Sequence, residues 1–337
     1  MHQGAARGSV LGRAHRRPSR LVQRRRAALL SRDVERGLRT RLRQGVTVRT
    51  TDWDAGAGWE RERRRHVLLA RALEAVSDEP PVFSSWTAAV LHDLPVVDAR
   101  LDRVHVLGGA RDERRGLDGV LTHALTILPD EVARIGGLLV TDVGRTVVDL
   151  ARGSAFEAGV AVADAALLRG VPRGLLEQAV VLAGPRRASR RIQDVVAFAH
   201  PGGESVAESC GRVGMFRLGL APQELQHAVR DHQGLAGVLD TFDRRRRIGT
   251  EIDGLEKYLN PALAPHGAGA VVVREKWRED RLRRSIAGLA RFGYREARNP
   301  ALLRPVLAAV GLRPEERRPT LGDWAAEAKL ARPRVRR

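Results

Sequence analysis

Cysteine is almost missing from this chain of 337 residues: Cys210 stands alone. A single cysteine excludes an internal disulfide and fits a reducing cytoplasm. It has no evident partner base, so packing in a helix is its expected role rather than nucleophilic chemistry. No apolar run approaches the roughly 20 residues of a membrane span, so no membrane partner is expected. The N-terminus is basic but lacks the apolar centre of a signal peptide. Lysine is scarce, with 56 of the 59 basic residues being arginine. GC-rich coding explains arginine in place of lysine, but not the excess of positive charge.

That excess is large, a formal net charge of +19. Residues 1–26 hold eight arginines and no acid, and residues 313–337 hold eight basic and four acidic residues. A polyanionic partner is expected, with DNA foremost. The length favours two or three domains. The sequence divides into a disordered basic arm (1–26), a mixed region (27–152), a helical spacer (153–201), a further mixed domain (202–312) and a basic tail (313–337). The class is α+β, multidomain.

In the mixed region, Ser31 is expected to cap a helix reaching about Arg43, followed by the β-prone Val46-Thr47-Val48. Arg39, Arg41 and Arg43 are the candidate phosphate contacts. Helical spacing of Val67, Leu68, Ala70, Leu73 and Val76 predicts a helix from Trp59 to Ser77. A serine-capped helix should run to about Leu91. Strands are expected at 103–107, within 116–127 and at 136–141. Thr141 should then cap the helix TDVGRTVVDLAR, with Arg145 and Asp149 as an ion pair one turn apart. His92, His105 and His123 match no metal-ligand spacing and read as structural histidines. Two or three helices follow over 155–199. RRASRR at 186–191 reads as a solvated face, with phosphate contact the alternative.

The acids between Glu204 and Asp253 carry the sharpest chemical reading. Asp240 closes one apolar segment, and Glu251 and Asp253 sit in the next. If the two segments form a hairpin, Glu251 and Asp253 share a face, because side chains alternate along a strand. Asp240 would come close, and Glu204 and Glu208, one helical turn apart, would add a carboxylate. Acids held together repel unless a cation separates them. Mg²⁺ or Mn²⁺ suits such oxygen donors and can activate water at a phosphate.

Two stretches resemble known families. The helix with Glu208, the strand-ending Asp240 and the Glu251-Ile252-Asp253-Gly254 tetrad resemble the PD-(D/E)xK nucleases, in the branch related to very-short-patch-repair endonucleases. Glu275, Lys276, Arg278, Glu279, Asp280 and Leu282 fit the motif of the following helix. The resemblance implies a restriction-endonuclease-like domain, with Asp240 and Glu251 as metal ligands, joined by Asp253, and Glu208 as an accessory acid. The superfamily lysine position holds Asp253, leaving Lys257 or Lys276 as the candidate basic group. Thr241 stands where the family has an aromatic residue. The segment ARFGYREARN is a poor version of the family's next strand. The tip Arg244, Arg245, Arg246 and Arg247 would hold the DNA backbone. LRTRLRQGVTVRTTDW and residues 141–152 resemble AbiEi-type antitoxins, implying a partial winged helix and an antitoxin-like region over about 32–152. Three readings follow: a metal-dependent DNA endonuclease, a non-catalytic DNA-binding regulator on the same fold, and an antitoxin for a separate toxin partner. The endonuclease leads on sequence. The oligomeric state is left open.

Overall fold

The computed structural model of the protein describes residues 30–108, 116–184, 189–254 and 268–331. The basic arm, Lys257, residues 186–188 and most of the Pro- and Gly-rich insertion after Gly254 lie outside the described residues. The chain forms two compact units, the first ending at Asp78 and the second beginning at Glu79. The architecture is mixed α and β throughout.

In the first unit a helix α1 includes residues 30–35 and is followed by a turn. The expected continuation to Arg43 does not occur. Arg39–Arg43 is a strand, β1, paired antiparallel with β2 (Val46–Arg49). Gly37 and Gly45 both adopt positive φ, at 70° and 79°. Gly37 ends the helix with a left-handed residue, and Gly45 allows the tight reversal. Alternation of Arg39, Arg41 and Arg43 suits a strand as well as a helix edge, and the two turn glycines decide it. Short helix α2 (Thr50–Trp53) and long helix α3 (Gly58–Val76) complete the unit. Arg65 lies over the Trp53 ring at 4.8 Å and donates to the Trp53 carbonyl.

The second unit begins with β3 (Val82–Phe83) and α4 (Ser85–Leu91), then β4 (Val104–Leu107), β5 (Val120–His123), β6 (Val132–Ile135), β7 (Leu138–Thr141) and α5 (Val143–Gly153). The strands form one mixed sheet in the order β5-β4-β3-β7-β6. Ser84 occupies the N-cap of α4, but its hydroxyl makes no cap bond. The cap of α5 is Asp142, which accepts from the Arg145 N–H at 2.8 Å, not Thr141. Thr141 instead lies on β7, its hydroxyl 2.8 Å from that of Thr146.

The motif helix α5 is anchored by a buried ion cluster. Arg145 pairs with Asp149 at 3.0 Å and with Glu131 at 2.8 Å, and donates to the Thr126 carbonyl. Burial pushes the Asp149 carboxyl above its ordinary value, against the pull of Arg145.

Three helices, α6 (Phe156–Leu168), α7 (Arg173–Leu182) and α8 (Ser189–Phe198), occupy the expected spacer. They are not a spacer. Val160, Ile192 and Phe198 share one core with Val147 of α5 and with Val213, Ile252 and Phe292 further along. A buried knot fixes this junction. Asp164 receives Arg212 at 2.7 Å, Ser209 at 2.7 Å and the His200 N–H at 2.7 Å.

The remaining elements are α9 (Val206–Leu218), β8 (Glu224–Asp231), β9 (Gly234–Asp243), β10 (Ile248–Asp253), α10 (Ala268–Ser285), β11 (Gly288–Gly293), α11 (Tyr294–Arg298) and α12 (Pro300–Ala309). The sheet runs β11-β10-β9-β8, with β8, β9 and β10 antiparallel and β11 parallel to β10. The segment read as a poor strand thus pairs from Gly288 to Gly293, because Leu289, Ala290 and Phe292 are buried. Residues 313–337 are also more than a basic tail. They include α13 (Leu321–Leu330), whose Trp324 is buried and stacks on Phe198 at 5.3 Å.

Close packing of α9 depends on its glycines. A Cβ at Gly214 would lie 2.8 Å from the Ala297 carbonyl oxygen and 2.8 Å from Leu303 Cδ2. Since one of these neighbours is backbone, Gly214→Ala is expected to cost about 1–3 kcal/mol, as overpacking does. Urea unfolding followed by circular dichroism measures it.

Candidate functional site

The site residues lie around β9, β10 and α9. The two strands form the expected hairpin. Pairing runs from Ile248↔Asp243 to Thr250↔Thr241 and stops before Asp240. Thr241 and Thr250 join hydroxyls at 2.9 Å, which accounts for threonine where the nuclease pattern has an aromatic residue. Asp240 accepts the Ile252 N–H through its side chain at 2.6 Å. This carboxylate therefore completes the edge of the hairpin.

Glu208 is held from several sides. Ser205 caps α9, accepting the Glu208 N–H at 3.2 Å, while its hydroxyl donates to Glu208 Oε1 at 2.8 Å. The Glu204 N–H and Gln226 Nε2 donate to Glu208 Oε2 at 3.0 and 3.1 Å. Ser-x-x-Glu before a helix is a start signal legible in the sequence, although Glu208 here reaches back to the Glu204 N–H and the Ser205 hydroxyl and not to the Ser205 N–H of a full capping box. Glu204 precedes the helix, is exposed, and does not sit one turn from Glu208 as expected. Burial first, and the nearby Asp240 charge second, push the Glu208 carboxyl up to about 7.

Glu251 and Asp253 face away from α9. A Cβ at Gly211 would lie 2.8 Å from Ile252 Cδ1, so α9 covers the Ile252 side of β10. Alternation puts the flanking acids on the opposite side. There Glu251 meets Arg278 of α10 at 2.6 Å and Arg291 of β11 at 3.9 Å. Asp253 meets Arg291 at 2.7 Å. Glu275 joins, 2.8 Å from Arg278. Both Glu251 and Asp253 are only 8% exposed. The shared face of Glu251 and Asp253 is thus as expected, but the acids divide into two groups. Glu208 and Asp240 belong with α9; Glu251 and Asp253 belong with two arginines.

This arrangement does not fit a divalent cation. The oxygens of Glu251 and Asp253 already serve guanidinium groups, and Asp240 serves a backbone donor. Among the described residues no group of three or more His, Cys, Asp and Glu side chains is placed to hold a metal ion. Lys276 is exposed and makes no hydrogen bond or ion pair among the described residues, so it does not reach the acids. Arg278 and Arg291 are the residues that sequence reasoning passed over. Arg278 lay inside the recognised motif, whereas the neighbour relation of Arg291 to Glu251 depends on the parallel register of β10 and β11.

The proposed DNA contacts separate similarly. At the β9–β10 tip Arg246 is largely buried between Asp243 at 2.8 Å and Glu315 at 2.6 Å. Its role there is structural. Arg247 donates to the Ser285 carbonyl at 2.6 Å. Arg244 and Arg245 pair with Glu224 and Glu315 but remain 74% and 67% exposed. On the first unit's hairpin, Arg39 is opposite Arg49, and Arg41 is opposite Thr47. Arg39 donates to the Thr47 hydroxyl and carbonyl at 2.8 and 3.0 Å. Arg41 and Arg49 are exposed. A register shift between Arg41 and Arg43 takes Arg43 out of the alternation.

The histidines read as structural have protein partners. His92 Nε2 lies 2.7 Å from the Thr141 carbonyl oxygen, and His123 Nε2 lies 3.0 Å from His105 Nδ1. Cys210 is buried, and burial pushes its thiol up to about 12, which is wrong for a nucleophile.

No protein-family model matches the chain. No solved structure matches it. Two curated proteins of Mycobacterium tuberculosis do, uncharacterized protein MT2308 of strain CDC 1551 / Oshkosh and uncharacterized protein Rv2248 of strain ATCC 25618 / H37Rv. Each is 31% identical over 131 residues, covering 38% of this chain and 48% of the relative. The chain thus spans about half the length of the curated relatives it matches. No described helix is long and apolar enough to cross a membrane.

Proposed function

We propose that the protein is a DNA-binding regulator built on a nuclease-type core that does not cleave. The order α9, β8, β9, β10, α10, β11 supports such a core, because it follows the succession of helix, strands, helix and strand on which the PD-(D/E)xK resemblance rests. The observation that carries the non-cleaving reading is the pairing of Glu251 with Arg278 and of Asp253 with Arg291. An enzyme of this type needs those acids for a cation; here they neutralise arginines. DNA binding is supported by the net charge of +19 and by the exposed Arg41 and Arg49 on a two-stranded ribbon. Such side chains suit phosphate contact, which positions a protein on DNA without reading sequence.

Endonuclease activity is the second reading, favoured by the Glu208 carboxyl, which burial first and the nearby Asp240 charge second push up. An antitoxin role rests on the resemblance of residues 141–152, and the cluster at Arg145 gives that motif a packing reason of its own.

The test measures binding of a duplex by fluorescence anisotropy at several salt concentrations, beside plasmid cleavage with Mg²⁺ or Mn²⁺. Affinity is expected to fall linearly on a log–log plot against salt, as counterion release requires. Arg41→Ala is expected to flatten that slope by about one. Neither the wild type nor Glu251→Ala should cut. Cutting by the wild type that Glu251→Ala abolishes would replace this reading with the endonuclease. Salt-insensitive or absent binding would remove the DNA partner.

A further inference from the structure

Away from the acids of β9 and β10, a cavity lies in the larger unit between β3, β4, β5 and the end of α5. Its volume is about 510 Å³, and its wall includes Ser84, Trp86, His105, Thr122, His123 and Arg152. Small-molecule sites usually span about 300–1,000 Å³, apolar for the most part with a few convergent polar groups. Leu121, Leu125 and Leu150 supply further apolar wall.

Three observations give it a chemistry. First, Ser84 Oγ and Thr122 Oγ1 are shielded from solvent and meet no hydrogen-bond partner. An unmet buried hydroxyl costs about 1–3 kcal/mol, so such groups call for a reason. Ser84 holds an N-cap position without using its hydroxyl as a cap. Both residues line the cavity, and one staggered step about χ1 is the motion by which either hydroxyl would reach a ligand there. Second, the neighbouring Ser85 takes φ of 51°, a left-handed conformation that a non-glycine residue adopts at a cost. Third, His123 lines the cavity, and because its Nε2 shares a hydrogen bond with His105 Nδ1 at 3.0 Å, the tautomer that this bond selects sets whether its other ring nitrogen donates or accepts.

The charges in the wall cancel. Asp149, which lines the cavity, lies between Arg145 at 3.0 Å and Arg152 at 3.3 Å, and Glu131, 2.8 Å from Arg145 behind the wall, makes two acids against two arginines. An anionic or cationic ligand would upset that balance, whereas an uncharged one leaves it intact. Imidazoles and hydroxyls suit a ligand edge carrying donors and acceptors together, and Trp86 suits a flat aromatic body.

We propose that this cavity binds an uncharged, planar heteroaromatic molecule of nucleoside size. The site is separate from the acids of β9 and β10 and does not depend on the reading of them. Adenosine, guanosine, cytidine, uridine and thymidine, with ribose as control, are titrated singly into the full chain without DNA. Isothermal calorimetry and thermal melting are the readouts. At least one nucleoside is expected to bind with Kd below about 1 mM, near the weak end of specific binding, and to raise Tm. Its addition should shift the ring-proton resonances of His105 and His123 in the wild type. Thr122→Val and Ser84→Ala, each checked for native circular dichroism, should weaken binding about tenfold, the effect of one lost hydrogen bond. The histidine shifts need no variant, so they decide the matter if either variant fails to fold. The proposal is overturned if no nucleoside binds at about 5 mM, several times that Kd limit. Ribose binding equally well, unmoved histidine resonances, or unchanged affinity in both folded variants would overturn it too.

Discussion

Arg145→Ala is expected to lower the unfolding free energy by about 3–5 kcal/mol, the usual consequence of removing one partner of a buried ion pair. Arg145 is 5% exposed, Glu131 5% and Asp149 9%. Its guanidinium serves both acids and the Thr126 carbonyl. Without it, Glu131 and Asp149 remain out of water beside each other, with Arg152 still near Asp149. The loss comes mainly from uncompensated charge, so removing the acids as well should recover part of it. The triple variant Glu131→Leu, Arg145→Met, Asp149→Leu is expected to lose less than Arg145→Ala alone. Chemical denaturation of the three proteins at neutral pH measures both effects. Arg145→Ala within about 1 kcal/mol of the wild type, the level of a surface pair, would mean that the cluster contributes little.

Glu208→Gln should change how stability depends on pH by up to about 3 kcal/mol, the free-energy equivalent of a rise from the ordinary value of 4.5 to about 7. The folded protein binds this proton more tightly than the unfolded chain. Between about pH 4.5 and pH 7 the folded state therefore carries more of it, and the Glu208 contribution falls as pH rises. It is fully present below about 4.5 and gone above about 7. His200 acts in the opposite direction. Burial first, with Arg212 and Arg173, holds it near 3, so its contribution grows as pH rises from about 3 to 6.5. The absolute curve mixes the two, and the informative quantity is wild type minus Glu208→Gln. That difference should decline from pH 4.5 to 7.5 if the carboxyl is raised as described. A flat difference would place Glu208 in an ordinary environment and remove the second reading's support.

The chemistry and the fold were legible to different degrees. The hairpin of β9 and β10 followed from two apolar runs around a polar tip, and it forms with Glu251 and Asp253 on one face. The Arg145–Asp149 pair followed from helical spacing, but its third member, Glu131, comes from before β6 and could not be counted from i, i+4 positions. The helix expected through Arg43 became a strand because alternating arginines suit either form and the flanking glycines decide the turn. Helix α13 was hidden within a basic tail, since Trp324 gains its partners Phe198 and Phe216 only in the assembled core. Ser205 and Glu208 form a local helix-start signal that needs no tertiary contact.

By itself the sequence determined what lies within reach of a few residues: the turns, the helical and strand periods, the caps and the surplus of arginine. Such features depend on neighbours along the chain. Only the tertiary structure decided which charges meet, because Arg278 and Arg291 stand 27 and 40 positions beyond Glu251 and approach it through α10 and the parallel register of β11. A carboxylate out of water takes the cation that the fold delivers, and here the fold delivers guanidinium.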